Sequence, residues 1–79
     1  MTDFELSLMN MVWGTARDYG TNFPFSAVTK AILTLLAEKN LKGTVEKVNK
    51  EEQRLTVNGH VFRILRHKDY SRYDVIMVR

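Results

Sequence analysis

The stretch Arg54-Leu55-Thr56-Val57-Asn58-Gly59-His60-Val61-Phe62-Arg63-Ile64 decides the fold of this chain. Two runs of alternating apolar and polar residues flank Asn58-Gly59, a dipeptide that favours the positive φ angles of a two-residue type I′ turn. The stretch therefore predicts a β-hairpin. Its short turn sets the register, in which Val57 faces His60, Thr56 faces Val61, Leu55 faces Phe62 and Arg54 faces Arg63.

The same alternation continues on both sides of the hairpin. It predicts four strands, at about 43–49, 53–58, 60–66 and 72–78. All the connections are short, so we expect consecutive strands to pair as an antiparallel meander. Apolar positions of the hairpin are predicted to face a core, and the alternate positions the opposite side: Leu55, Val57, Phe62 and Ile64 inward, and Arg54, Thr56, Val61, Arg63 and Leu65 outward.

Two helices are predicted before the strands. Thr2-Asp3-Phe4-Glu5 is a capping box, which begins a helix that should run to about Asp18. Gly20 suits a left-handed position at its end. A second helix should begin near 24–26 and run through Glu38, with Asn40 as its left-handed cap. The expected fold is α+β, with two N-terminal helices packed on one face of a four-stranded antiparallel β-meander (ααββββ), as a single compact domain over residues 1–79.

The composition excludes several classes of protein. The chain has 79 residues, a net charge of +3 and no cysteine, which rules out disulfides and thiolate metal sites and suits a reducing compartment. The longest uncharged runs are shorter than the roughly 18 residues of a membrane-spanning helix. The acidic N-terminus lacks the basic start of a secretory signal. We therefore expect an unprocessed cytoplasmic protein with no membrane association.

Positive charge is concentrated in residues 41–79, which carry the whole positive excess of the chain. Within them, the segment 66–73 interleaves cations with aromatic rings in a predicted loop, a mixture that nucleic-acid surfaces use. Like charges directly opposite each other, as at Arg54 and Arg63, destabilise a sheet unless something offsets them. We expect these side chains to bind an anionic surface, either nucleic acid or an acidic protein. The candidate binding residues are Arg54, Arg63, Arg66, His67, Lys68, Tyr70, Arg72 and Tyr73.

The same residues also have structural explanations. The basic surface can simply be solvated, since charged turns are common at protein surfaces. A β-bulge can separate Arg54 from Arg63. Alternatively, Glu46 and Asp74 on the neighbouring strands can neutralise the pair.

Apolar residues outside the predicted core suggest an interface. The first helix has an apolar arc of roughly 220°, wider than the stripe of about 100° that one packing face needs. Tryptophan and methionine are common contact residues at interfaces, and Val61 with Leu65 would leave an apolar strip on the outward face of the sheet. A homodimer joined through the sheet or the first helix would bury Val61 and Leu65. The candidate interface residues are Met9, Trp13, Val61 and Leu65. Alternatively, Trp13 covers a small core.

Catalytic and cofactor motifs are weak. The two histidines, His60 and His67, lack the spacing of a metal site. His67 with Asp69 resembles an acid–base pair, but no nucleophile or oxyanion site accompanies it. We therefore expect no metal, no cofactor and no catalytic residue.

The order of two helices before an antiparallel sheet, with Val61-Phe62-Arg63-Ile64-Leu65 and Tyr73-Asp74-Val75-Ile76-Met77-Val78 in its strands, is similar in outline to small ribosome-associated toxin endoribonucleases of the RelE type. In that family, basic and aromatic residues of the sheet position RNA for cleavage. The resemblance implies such a role for Arg54, Arg63 and Tyr73. The leading strand usual in the family has no counterpart here.

Taken together, these patterns favour a small non-enzymatic regulatory protein that binds an anionic surface through its sheet face and the segment 66–73. The size is typical of a phage- or plasmid-type accessory or inhibitor protein. The alternatives are a RelE-like endoribonuclease and a homodimeric adaptor.

Overall fold

The computed structural model of the chain describes residues 2–20, 22–67 and 72–79. Its elements follow the predicted order: α1 (Asp3–Tyr19), α2 (Phe25–Glu38), β1 (Gly43–Asn49), β2 (Glu52–Val57), β3 (His60–His67) and β4 (Arg72–Met77). The strands form one sheet in the order β1-β2-β3-β4, and all neighbours are antiparallel. The predicted ααββββ fold is confirmed.

The hairpin between β2 and β3 has the predicted turn and register. Asn58 and Gly59 have φ angles of 49° and 82°, the pair of positive values that a type I′ turn needs. Val57 pairs with His60, Leu55 with Phe62, and Arg54 with Arg63. The two arginines therefore do lie directly opposite each other, with no bulge between them.

Local hydrogen bonds cap the N-terminus of α1 and the C-terminus of α2. In the capping box of α1, the Glu5 amide donates to Thr2 Oγ1 (3.1 Å) and the Thr2 amide donates to Glu5 Oε1 (2.8 Å). At the end of α2, Asn40 has a φ of 60° and the Leu41 amide donates to the Leu36 carbonyl (2.9 Å). This 6→1 bond around a left-handed residue is a Schellman motif, as the sequence predicts.

Gly20, at the end of α1, differs from its prediction. Its φ of 63° is positive as expected, but its ψ of 179° is extended and not left-handed helical. The chain therefore turns away from α1 instead of folding back over its last turn.

The helices share one face of the sheet. α1 packs over β4 and against α2, while α2 packs over β1. The hairpin residues predicted to face the helices, Leu55, Val57, Phe62 and Ile64, are completely buried, which confirms their placement. With them the core contains Leu8, Val12, Ala16, Phe25, Val28, Ile32, Leu36, Tyr73 and Val75.

α1 buries only part of its wide apolar arc. Leu8, Val12 and Ala16 form the buried stripe, while Leu6 and Trp13 keep 50% and 39% of their surface exposed. The Arg17 guanidinium lies over the Trp13 ring, 5.0 Å from its centroid. The exposed side of α1 therefore includes two large apolar side chains among polar ones, and it carries a cation–π contact.

Candidate binding face of the sheet

The face of the sheet turned away from the helices is the candidate site, and we call it the bare face. Side chains alternate between the two faces of a strand, and the strand register aligns them in rows across the sheet. One row runs from Glu46 through Arg54 and Arg63 to Ile76. The remaining side chains on the bare face are those of Thr44, Asn49, Glu52, Thr56, Val61, Leu65, His67, Arg72 and Asp74.

Arg63 is neutralised by a carboxylate of β2. Its Nε donates to Glu52 Oε2 (2.9 Å) and its Nη2 donates to Glu52 Oε1 (3.0 Å), a two-point contact that fits the planar guanidinium. These hydrogen bonds from Arg63 lower the pKa of Glu52 below 4.5, and the same contact raises the pKa of Arg63. Of the two carboxylates expected to offset the arginine pair, neither Glu46 nor Asp74 contacts Arg63 within the described residues; Glu52 does so instead.

Arg54 is the cation that remains available on this face. It is exposed and lies between Glu46 on β1 and Arg63 on β3 in the strand register. It makes no ion pair within the part of the chain that the structure describes. Val61 and Leu65 flank it diagonally on β3, so the charge stands beside two partly exposed apolar side chains.

Asp74 organises the charges at the other end of the bare face. His67 Nε2 contacts Asp74 Oδ2, and Arg72 Nε lies 3.6 Å from Asp74 Oδ1. His67 and Arg72 directly face each other across β3 and β4. The Asp74 carboxylate thus contacts two basic side chains at once.

The charges of the bare face balance. Within the described residues, its three arginines are matched by three carboxylates: Arg54, Arg63 and Arg72 against Glu46, Glu52 and Asp74. Within the described residues, the arginines of the bare face therefore leave no excess of positive charge over the carboxylates. Acidic residues of the meander occupy the same side of the pleat as the arginines.

The described residues of the segment 66–73 do not lie on one surface. Arg66 and His67 end β3, and Arg72 and Tyr73 begin β4, while Lys68 and Tyr70 lie outside the described residues. Arg66 points to the helix side, because it alternates with His67. Tyr73 is only 1% exposed, so the prediction that it is a surface binding residue is wrong.

A group of positive charges lies on the helix side instead. An open depression of about 380 Å3 begins at the N-terminus of α2. Its charged lining residues include three cations and one carboxylate: Lys47, Lys50, Arg66 and Glu51. The signal for this cluster was in the sequence, since Lys47 shares its side of β1 with the helix-facing Gly43 and Val45.

The four predicted interface residues divide between two surfaces. Val61 and Leu65 are half-buried on the bare face, close to Ile76, which is 45% exposed. Met9 and Trp13 lie on α1, on the other side of the sheet. A single partner surface cannot bury all four, so the molecule has two separate apolar regions.

The residues implied by the endoribonuclease resemblance are not assembled into one site. Tyr73 is in the core, and the Arg63 guanidinium is engaged by Glu52. Of the three, Arg54 alone is exposed and without an ion pair among residues 2–20, 22–67 and 72–79.

Comparison of the chain with models of known protein families, with curated proteins and with solved structures found no match. Neither α1 nor α2 is long and apolar enough to cross a membrane.

The ion pair between Glu52 and Arg63 predicts a loss of stability in acid. A carboxylate whose pKa is lowered on folding stabilises the folded state fully above its unfolded pKa, near 4.5, and loses this effect as the pH falls through the lower, folded value. We expect Glu52→Gln to lower the urea midpoint at pH 7 and to flatten its decrease below pH 4.5.

Glu46→Gln is the matched control for this prediction. Glu46 lies on the same face, is exposed and makes no ion pair within the described residues. Its replacement should lower the midpoint at pH 7 less than Glu52→Gln does, because Glu46 is exposed and holds no guanidinium. Equal acid slopes for wild type and Glu52→Gln would contradict the assigned role of Glu52.

Proposed function

We propose that this chain is a small non-enzymatic binding protein whose bare face engages an acidic segment of another protein. The observation that carries the proposal is Arg54, an exposed cation without an ion pair in the described part of the chain, flanked by Val61 and Leu65. An exposed arginine beside apolar side chains is a frequent anchor in protein interfaces. Arg63, held in place by Glu52, adds a second, oriented guanidinium beside it.

The balance of charge favours a protein over a nucleic acid as the partner. Nucleic-acid affinity comes mainly from cations that neutralise successive phosphates. On the bare face a phosphate backbone would meet Glu46, Glu52 and Asp74 as often as it meets arginine. A protein segment with one or two carboxylates and apolar neighbours can use Arg54 without approaching all three acids. We also propose that the protein is located in the cytoplasm, because the absence of cysteine suits a reducing compartment.

Charge reversal at Arg54 tests this proposal. We expect Arg54→Glu to weaken capture of the partner from a nuclease-treated lysate by about tenfold or more, because an attraction becomes a repulsion at the centre of the face. Lys30→Glu makes the same change of charge on an exposed position of α2 and should leave capture unchanged.

Two results would reject the proposal. If capture disappears after nuclease treatment of the wild-type sample, nucleic acid and not protein is the partner. If Arg54→Glu and Lys30→Glu retain the partner equally well, the bare face is not the contact surface. Circular dichroism of both variants checks that the fold is intact.

A further inference from the structure

The two edge strands of the sheet are protected to different degrees. An edge strand exposes unpaired backbone groups, and proteins commonly blunt it with a bulge or a lysine. β1 has both, since its register shifts between Lys47 and Asn49. β4 keeps an unbroken register with β3 from Arg72 to Met77 and contains neither lysine nor proline there. Among the described residues, the β4 edge is therefore the one open to further pairing.

The hydrogen bonds between β3 and its neighbours show which backbone groups of β4 point away from the sheet. The Arg66 amide donates to Glu51 of the β2 side (2.8 Å), and the Val61 amide donates to Arg79 beyond β4 (3.2 Å). Even-numbered residues of β3 therefore bond towards β2 and odd-numbered residues towards β4. Since Arg63 pairs with Ile76 and Leu65 with Asp74, the alternate residues of β4 direct their backbone groups outward. These are Tyr73, Val75 and Met77, and within the described chain no hydrogen bond is found for their outward groups.

An apolar stripe of α1 runs along the same flank of the molecule. The side of α1 that faces α2 carries Met11 and Thr15. At 100° per residue, Leu6 and Trp13 lie on the opposite side of the helix, with Met9 beside them. Because α2 lies over β1 and α1 over β4, the side of α1 away from α2 lies on the β4 flank of the molecule. The stripe Leu6, Met9 and Trp13 thus adjoins the unpaired strand.

We propose that two copies of this chain form a symmetric dimer by antiparallel pairing of β4 with β4. The outward-directed residues fix the pairing: Val75 faces Val75 of the second copy, and Tyr73 faces Met77. One two-fold axis then satisfies the free backbone groups of both edges and closes the assembly. The result is a continuous eight-stranded sheet with both bare faces on one side.

The area required favours a second copy over a single added peptide strand. A stable interface buries about 800 Å2 per partner, roughly a sixth of the 5192 Å2 surface of this chain. One strand edge is too small to supply this. In the dimer, the α1 stripes of the two copies also meet across the axis and cover the exposed parts of Leu6 and Trp13, which a lone extended peptide would leave in solvent.

Sedimentation of the purified chain tests the dimer. We expect wild type to be dimeric at micromolar concentrations and Trp13→Glu to raise the dimer dissociation constant by about tenfold or more, because it places charge in the stripe. Val48→Glu is the matched control: Val48 is 44% exposed at the opposite, bulged edge, and its change should leave the dimer intact. Arg54→Glu should also leave it intact, which separates this interface from the bare face.

Hydrogen exchange of the backbone amides tests the proposed dimer in the wild-type protein, without any variant. Dimerisation should protect the amides of Tyr73, Val75 and Met77 more strongly as the concentration rises, and leave outward amides of β1 unchanged. A wild type that is monomeric up to about 100 µM, far above the dissociation constants of specific dimers, overturns the proposal. So does a dimer without this protection, or one that dissociates on Arg54→Glu but not on Trp13→Glu.

Discussion

Replacement of Tyr73 by alanine is expected to remove about 3–5 kcal/mol from the free energy of unfolding, the usual cost of truncating a buried aromatic side chain. Tyr73 is 1% exposed and packs edge-on against Phe25, with ring centroids 4.8 Å apart. Its hydroxyl donates to the Phe23 carbonyl (2.8 Å), which ties β4 to the connection between the helices. A chain of this length has a stability of about 4–12 kcal/mol, so the loss is a large fraction of the total. Urea unfolding followed by circular dichroism measures it.

Tyr73→Phe separates the ring from the hydroxyl. It keeps the packing and removes one hydrogen bond, so we expect a loss of about 1 kcal/mol. Burial raises the pKa of Tyr73 above 10.0. A tyrosine whose pKa is raised on folding stabilises the folded state below its unfolded pKa and loses this effect at higher pH. The phenylalanine variant should therefore lose less stability than wild type above pH 10. Equal stabilities of Tyr73→Ala and Tyr73→Phe would show that the ring is not part of the core.

Gly43→Val is expected to destabilise the domain by about 1–3 kcal/mol through overpacking. Gly43 begins β1 directly beneath α2. A Cβ at this position would lie 2.9 Å from Leu33 Cδ2, 3.0 Å from Leu36 Cδ1 and 3.2 Å from Leu55 Cδ1. Leu36 and Leu55 are completely buried, so they have little room to move. Thermal and urea unfolding of the variant measure the effect.

Gly14→Ala is expected to stabilise the same chain, in contrast to Gly43→Val. Gly14 lies in the interior of α1, and a Cβ there would have no neighbour within 4 Å. Alanine should raise the stability by up to about 1 kcal/mol, because it favours the helix over glycine. If Gly43→Val proves as stable as wild type while Gly14→Ala behaves as expected, the close approach of α2 to β1 is wrong.

The fold was predictable where short-range chemistry leaves few choices. Asn58-Gly59 permits a two-residue turn, and such a turn allows one register, so every cross-strand pair of the hairpin followed from two residues. The Thr2–Glu5 capping box and the Asn40 cap likewise fixed helix ends through local hydrogen bonds. The ψ angle of Gly20 was not predictable in this way, since glycine accommodates several conformations at positive φ.

The site was harder to predict because it depends on which side of each strand a charge occupies. The predicted β2 began at residue 53, which left Glu52 in the turn and hid the partner of Arg63; in the structure β2 begins at Glu52. A carboxylate two residues before Arg54 then shares its face and lies diagonal to Arg63. Similarly, Tyr73 alternates in phase with the buried Val75, so assigning the faces of β4 would have placed it in the core.

The packing of α1 over β4 also sets the order of events during synthesis. Each strand pairs with the one before it, so the sheet can grow as the ribosome delivers it, but the first helix has its strand partner in the fourth strand. Until that strand emerges, no sheet covers Leu8, Val12 and Ala16. The nascent chain then exposes the apolar face of an amphipathic helix, which promotes aggregation. Completion of folding is thus tied to the last strand, and a message cut short before Arg72 would yield a product prone to aggregation or proteolysis.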